Sequence, residues 1–275
     1  MKSLLILSSF GHASYGGYWQ REAFWCHLQQ RFIASTTDDY DYAVYLNRVD
    51  RGLFPSALIV GENNGPRTSL ETQITLKSLL EYARSRPYAH YLILDSDAFP
   101  VRRGWVELLV KKMGECRFAA PVRYENLDTF PHPCALFIKG EAIGDDFDFA
   151  PSFDYHDLLR QPVLDVGTAI KRDRCFPLVR TNRINVHPIL AGLYYDVFYH
   201  HGGGSRRAFL RSVFQGYYDH LVSDEETAEK RTFAELRQDP EGFINRLRGM
   251  SPPSSVPTGS EGPGLQQHPG GQGVW

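Results

Sequence analysis

The sequence has no apolar run approaching the roughly 20 residues of a helical membrane span, so a chain without a transmembrane segment is expected. The opening comes closest to a targeting signal, with Lys2 preceding the apolar Leu4 to Leu7. That run is short and breaks into Ser8 and Ser9 with no small-residue cleavage site, which predicts a first core strand and a cytoplasmic protein. Cysteine is scarce: four residues, at 26, 116, 134 and 175, with no Cys-x-x-Cys pair. Such spacing argues against a zinc knuckle or a disulfide framework and fits a reducing compartment. Neither sign of charge is in excess. A formal net charge of -2 gives no global field for nucleic acid or an anionic membrane, and no nucleic-acid partner is expected. Gly-x-x-x-x-Gly-Lys-Ser/Thr, His-Glu-x-x-His, Gly-x-Ser-x-Gly and a Gly-x-Gly-x-x-Gly after a first strand are all missing. Their absence sets aside phosphate-loop hydrolases, zinc proteases, serine esterases and dinucleotide-binding dehydrogenases.

What is present supports a core. With 42% hydrophobic and 13% aromatic residues in 275, one domain over residues 1–250 is expected. From Ser251 the composition turns to Pro, Gly, Ser and Gln, and residues 251–275 are read as a disordered tail. Trp19, Phe24, Trp25, Leu28 and Phe32 recur at helical intervals, predicting a helix over Tyr18 to Phe32. Strands are expected over Tyr40 to Asp50 and Ser56 to Gly61. Thr68 with Glu71 three residues on is a capping box, opening a helix whose buried stripe is Leu76, Leu79, Leu80 and Ala83. Tyr91 to Leu94 form an inner strand, Trp105 to Met113 a short helix, and Phe118 to Val122 and Ala135 to Ile138 further strands. Glu141 to Leu159 reads as loop, "DVGTAIKRD" from Asp165 as a turn into a helix, "FPLVR" as a strand, and Ala208 to about Gly249 as helical. Strand, helix, strand in succession points to an α/β fold on a mostly parallel sheet.

Asp95 and Asp97 fall at the carboxyl end of the Tyr91 to Leu94 strand, the edge where open α/β sheets bind ligands. Asp-x-Asp alone is weak, since Asp39/Asp41 and Asp146/Asp148 repeat it. Its place is what distinguishes the middle pair: two carboxylates one residue apart at a strand end can converge on a hard cation such as Mg²⁺ or Mn²⁺. Equally open from pattern alone is a turn in which Asp95 caps and Asp97 is solvated. "YHHGGGSRR", Tyr199 to Arg207, holds His200, His201, Gly203 and Arg206 in a stretch suited to a phosphate-facing loop or to a flexible surface one.

The segment "YLILDSDAFP" resembles the Asp-x-Asp segment of nucleotide-sugar-dependent glycosyltransferases of the GT-A fold, with Ile93 to Asp97 matching the strand end and the pair. The layout over roughly residues 1–210 is also similar. The resemblance implies a GT-A-like mixed, mostly parallel sheet flanked by helices, with a Rossmann-like nucleotide-binding half and an acceptor half. It implies an enzyme that moves a sugar from a nucleotide-diphosphate sugar, uridine diphosphate being the default, to a glycan or small-molecule hydroxyl acceptor. Asp97 then takes the larger share of the metal, Asp95 reaches the metal or the ribose, and His200 or His201 is a further ligand. Asn47 would face the nucleotide, and Arg67, beside a helix amino-terminus, would face the diphosphate together with Gly203 and Arg206.

An inverting transfer also needs a carboxylate to take the acceptor hydroxyl's proton, a retaining one a different arrangement on the same face, and the sequence leaves both open. Asp154, Asp157 and Asp165 are the candidates, with Asp165 placed before Gly167 and Asp154 in an aromatic segment; a solvated loop carboxylate or a helix cap is the alternative for each. Tyr124, Phe130 and Phe153 offer rings for an acceptor sugar, or for the core. Two other classes remain open: a nucleotidyltransferase on a similar sheet, and a non-catalytic sugar- or nucleotide-binding module.

Overall fold

The computed structural model describes residues 3–11, 22–64, 69–126, 130–145, 147–149, 152–156, 161–187, 190–202 and 231–250. Its frame is a seven-stranded sheet built on β1 (Leu4–Gly11), β2 (Tyr40–Asn47), β3 (Leu58–Asn63), β4 (His90–Asp95), β6 (Phe118–Pro121), β7 (Ala135–Lys139) and β10 (Cys175–Leu178), in the order β10-β6-β7-β4-β1-β2-β3. All neighbours pair in parallel except β7, which is antiparallel to both β4 and β6. This is the mixed, mostly parallel α/β sheet that the GT-A resemblance implies.

Both faces are covered at the centre of the sheet, which explains why β1 and β4 carry unbroken apolar runs, Leu4 to Leu7 and Tyr91 to Leu94, instead of alternating with polar residues. The period of two still decides which helix each side chain meets. Leu5, Leu7, Tyr91 and Ile93 pack against Leu76, Leu79, Leu80 and Ala83 of α2 (Ser69–Arg84). Leu4, Ile6, Leu92 and Leu94 pack on the other face with Ile33 of α1 (Glu22–Thr36) and with Trp105, Leu109 and Met113 of α3 (Trp105–Met113).

Three smaller pieces complete the fold. β5 (Ala98–Pro100) pairs antiparallel with β12 (Phe198–His200), which pairs with β11 (Gly192–Tyr194). β8 (Ser152–His156) and β9 (Gln161–Asp165) form a separate hairpin. Residues 231–238 are helical and lead into α4 (Pro240–Leu247), where Asp239 caps the amino-terminus by accepting from the Gly242 N–H at 3.0 Å. No helix of the described residues is long and apolar enough to cross a membrane.

Some expectations are corrected. α1 runs to Thr36, a full turn beyond Phe32, because Ile33 adds a further buried contact. The stretch after Asp165 is a turn and not a helix, with Gly167 at φ 104°. A glycine in that conformation stops the chain from winding into a right-handed helix. Within the expected Glu141 to Leu159 loop, residues 152–156 are a strand. Tyr18 to Arg21, Thr68, all of Ala208 to Lys230 and the tail 251–275 lie outside the described residues.

β4 opens with His90, whose ring stacks on Phe137 at 5.3 Å. Burial, reinforced by Lys139 and opposed by Glu107, holds its pKa below the ordinary 6.5. A depressed imidazole means that the unfolded chain takes up the proton first as pH falls. His90 therefore contributes its full share above about pH 6.5, and stability is lost as pH drops through the folded-state value. Urea unfolding of His90→Asn should show a flatter pH dependence below about 6.5 than the wild type; an unchanged slope would rule out His90 as the cause.

Candidate metal and nucleotide site

Strand order reverses at β1: β2 and β3 extend the sheet on one side, β4 on the other. In an open α/β sheet the crevice at the carboxyl ends of the two strands flanking such a switch point is the ligand site. Asp95 ends β4 there, in register with Ser9 of β1. Sequence alone gives the strand end; topology makes it the switch point.

The turn from Asp95 to Ala98 is tied down on several sides. The Asp95 N–H donates to the Cys134 carbonyl at 3.0 Å, the His201 N–H to the Asp97 carbonyl at 3.1 Å, and the Gly202 N–H to Asp97 Oδ2 at 3.1 Å. Pairing of β5 with β12 sets Ala98 opposite His200 and brings His200 Nε2 to 3.6 Å from Asp97 Oδ1. One ligand atom each from Asp95, Asp97 and His200 lies within 4.8 Å of the others. Two carboxylates and an imidazole are a donor set for a divalent cation, and the imidazole suits Mn²⁺ better than Mg²⁺.

Strand pleating separates the two histidines, because neighbours on β12 project to opposite sides. His200 shares the side of Phe198 and meets the aspartates. His201 shares the side of Tyr199, whose hydroxyl is 2.8 Å from His201 Nδ1, and its ring packs 4.9 Å from Trp25 and 6.5 Å from Phe233. His201 is thus not among the three residues that converge. Burial, followed by the nearby Asp97 charge, raises the Tyr199 phenol well above its usual pKa and keeps it protonated.

The remaining sequence candidates fall as follows. Asn47 ends β2, is 6% exposed, and its Oδ1 has no hydrogen-bond partner among the described residues. Arg48 follows in a left-handed conformation with its Nε bonded to the Asn64 carbonyl at 2.8 Å. Asp154 and Asp165 lie on the paired strands β8 and β9. Arg67, Asp157, Gly203 and Arg206 are outside the described residues. Phe130 is buried, whereas Tyr124 is 57% exposed.

The turn after β9 is seated close to the site. A Cβ on Gly167 would stand 2.6 Å from the Pro131 carbonyl oxygen and 2.9 Å from Pro133 Cδ, in the segment that carries His132. Steric overlap and the positive φ together should make Gly167→Ala destabilising by about 1–3 kcal/mol. A urea midpoint equal to the wild type's would show that the turn does not press on that segment.

A second group beside His200 escapes the sequence reading. Tyr194 Oη donates to Glu125 Oε1 at 2.6 Å, and Arg180 Nη1 lies 3.9 Å from the same oxygen. Arg180 Nη2 also donates to the His187 and Leu190 carbonyls at 3.0 and 2.9 Å. The Tyr194 and His132 rings stand 6.4 and 6.1 Å from that of His200. Burial, then the Glu125 charge, holds the Tyr194 phenol protonated. Glu125 is therefore pinned to the hairpin that carries His200, and Tyr124, its exposed neighbour in sequence, stands next to it.

No family model and no curated protein matches the sequence. Solved structures do match. The galactosyltransferase LgtC, in complex with donor and acceptor sugar analogues, has 14% identity and a TM-score of 0.33 over 49% of this chain and 57% of that one. A protein named for nucleotide-diphospho-sugar transfer, from Desulfovibrio desulfuricans G20, has 12% identity and a TM-score of 0.41 over 90% of this chain and 99% of that one. The glycosyltransferase GlyE of Streptococcus pneumoniae TIGR4 has 11% identity and a TM-score of 0.34 over 52% of this chain and 36% of that one. The chain spans 57% and 60% of the two LgtC structures it matches. With TM-scores of 0.33 to 0.41 these likenesses carry no argument, and both the fold and the chemistry of the site rest on the chain's own residues.

Proposed function

We propose that the protein is a metal-dependent glycosyltransferase that moves a sugar from a nucleotide-diphosphate sugar to a hydroxyl acceptor in glycan or natural-product assembly. The observation that carries this reading is the convergence of Asp95, Asp97 and His200 at the switch point of the parallel sheet. A divalent cation held by these three supplies positive charge for the diphosphate of the leaving nucleotide. The chain's own residues do the rest. Asp97, fixed by the Gly202 N–H, presents its other oxygen beside His200. Asn47 Oδ1, buried and without a hydrogen-bond partner among the described residues, is proposed to accept from a donor group of the base or ribose once the ligand seats, which would satisfy an otherwise costly atom.

Arg67, Gly203 and Arg206 are proposed for the phosphates, and Asp154 or Asp165 for the acceptor hydroxyl's proton. Glu125, already engaged by Tyr194 and Arg180, holds the acceptor wall and presents Tyr124 as a stacking surface for a sugar ring.

A thermal-shift screen of nucleoside diphosphates with and without Mn²⁺, uridine diphosphate first, tests the reading. Ligand at about 100 times its Kd should add about 2.7 kcal/mol of stability. A shift that needs Mn²⁺ supports a metal-dependent donor site. No shift with any nucleotide, or one indifferent to metal, would reduce Asp95 and Asp97 to turn residues.

A further inference from the structure

The Asp95–Ala98 turn has a support that none of the ligand candidates provides. Gln29 is fully buried on α1, and its Nε2 donates to the carbonyls of Asp95 and Ala98, both at 2.8 Å, with the Ser96 carbonyl at 3.4 Å. Its Oε1 accepts from the Tyr42 hydroxyl at 2.8 Å. The turn carbonyls settle the orientation of the amide: they only accept, so they require its two N–H donors, and the amide oxygen is left to accept from Tyr42. Burial raises the Tyr42 phenol far above its ordinary pKa and preserves it as a donor.

We propose that Gln29 is a positioning residue for the divalent-cation site, acting from behind the turn through the backbone on either side of Asp97. The proposal rests on the metal-dependent reading above. Holding the carbonyls of residues 95 and 98 fixes the two ends of the segment, so the intervening peptide cannot rotate and carry the Asp97 carboxylate away from His200. The His201 and Gly202 N–H groups grip the same turn from the opposite side. Groups that orient ligands without touching a metal typically change its affinity by about 10–100-fold when removed.

The test reads Mn²⁺ binding directly, from the paramagnetic resonance signal of free Mn²⁺, in the full chain at a temperature where each variant is folded. Gln29→Met keeps the volume and removes every bond; it should weaken Mn²⁺ by about 10–100-fold. Tyr42→Phe removes only the hydroxyl that donates to Gln29 Oε1, leaving that buried oxygen without its donor, and should act in the same direction by a smaller factor. Ile33→Ala, one turn further along α1 and also buried, should lower the melting temperature and leave Mn²⁺ affinity unchanged. If Gln29→Met does not fold, Tyr42→Phe against Ile33→Ala decides. Wild-type binding that is undiminished in the Gln29 and Tyr42 variants, or equally weakened by Ile33→Ala, overturns the positioning role alone. Absence of Mn²⁺ binding by the wild type overturns the metal reading and this role with it.

Discussion

Asp97→Ala should abolish the Mn²⁺-dependent nucleotide stabilisation that the proposed function requires, a loss of about 2.7 kcal/mol at about 100 times Kd, and lower the proposed sugar transfer by more than about 10²-fold. The lower bound follows from the ligand role: outer partners of a metal already cost about 10–100-fold, and a direct carboxylate ligand contributes more. Folding should survive. Asp97 lies in the turn after β4, and the bond its carboxylate accepts from the Gly202 N–H is worth about 1 kcal/mol. The melting temperature without ligand should therefore stay near the wild type's while the ligand-induced shift disappears. Asp97→Asn keeps an acceptor for Gly202 and loses the charge. Retention of a full Mn²⁺-dependent shift by both variants would sink the metal assignment.

The largest loss of stability is expected at Trp105. Its side chain is fully buried where α3 meets the sheet, edge-on to Phe137 at 5.4 Å and to Phe198 at 5.2 Å. Its Nε1 donates to Thr37 Oγ1 at 2.9 Å. Trp105→Ala removes the packing, at about 3–5 kcal/mol, and strips a buried hydroxyl of its donor. Against a total of about 5–15 kcal/mol for an ordinary domain, that is about a fifth of the stability or more. Trp105→Phe should recover most of the packing and none of the hydrogen bond, so the difference between the two variants in urea unfolding separates these contributions. A loss below about 1 kcal/mol for Trp105→Ala would mean that α3 does not seal this face.

Much of the fold was legible because the strands carry long apolar runs and α2 carries a clean stripe, signals local enough to read from one chain. The aspartate pair was legible for the same reason: it ends such a run. The choice between His200 and His201 was not, because it depends on the pleat of β12, and pleat follows from pairing with β5 across the chain. Glu125, Tyr194 and Arg180 were missed because their bonds join residues 69 or 55 positions apart. Gln29 was within reach: its spacing of four from Trp25 and three from Phe32 puts an amide on a buried apolar stripe. A polar residue in that position needs partners, and here they are the carbonyls beside the aspartates. The turn after Asp165 misled because "TAI" is helix-compatible while Gly167 dictates otherwise.

Arg248 holds the turn of the β11–β12 hairpin from the far end of the described chain. Its Nε donates to Asp196 Oδ1 at 2.7 Å and its Nη2 to the Val101 carbonyl at 3.0 Å, bracing a turn in which Tyr195 and Asp196 both have positive φ. This arrangement has a consequence for the order of synthesis. The strands of the sheet's centre and the aspartates leave the ribosome early, but 105 residues separate Asp97 from Gly202. At about 5–20 residues per second the histidine arm follows roughly 5–20 s later, and the arginine that braces it later still. A nascent chain therefore carries both carboxylates at the edge of a forming sheet well before the His200 imidazole can join them, and the brace that Arg248 lays on the β11–β12 turn forms later still.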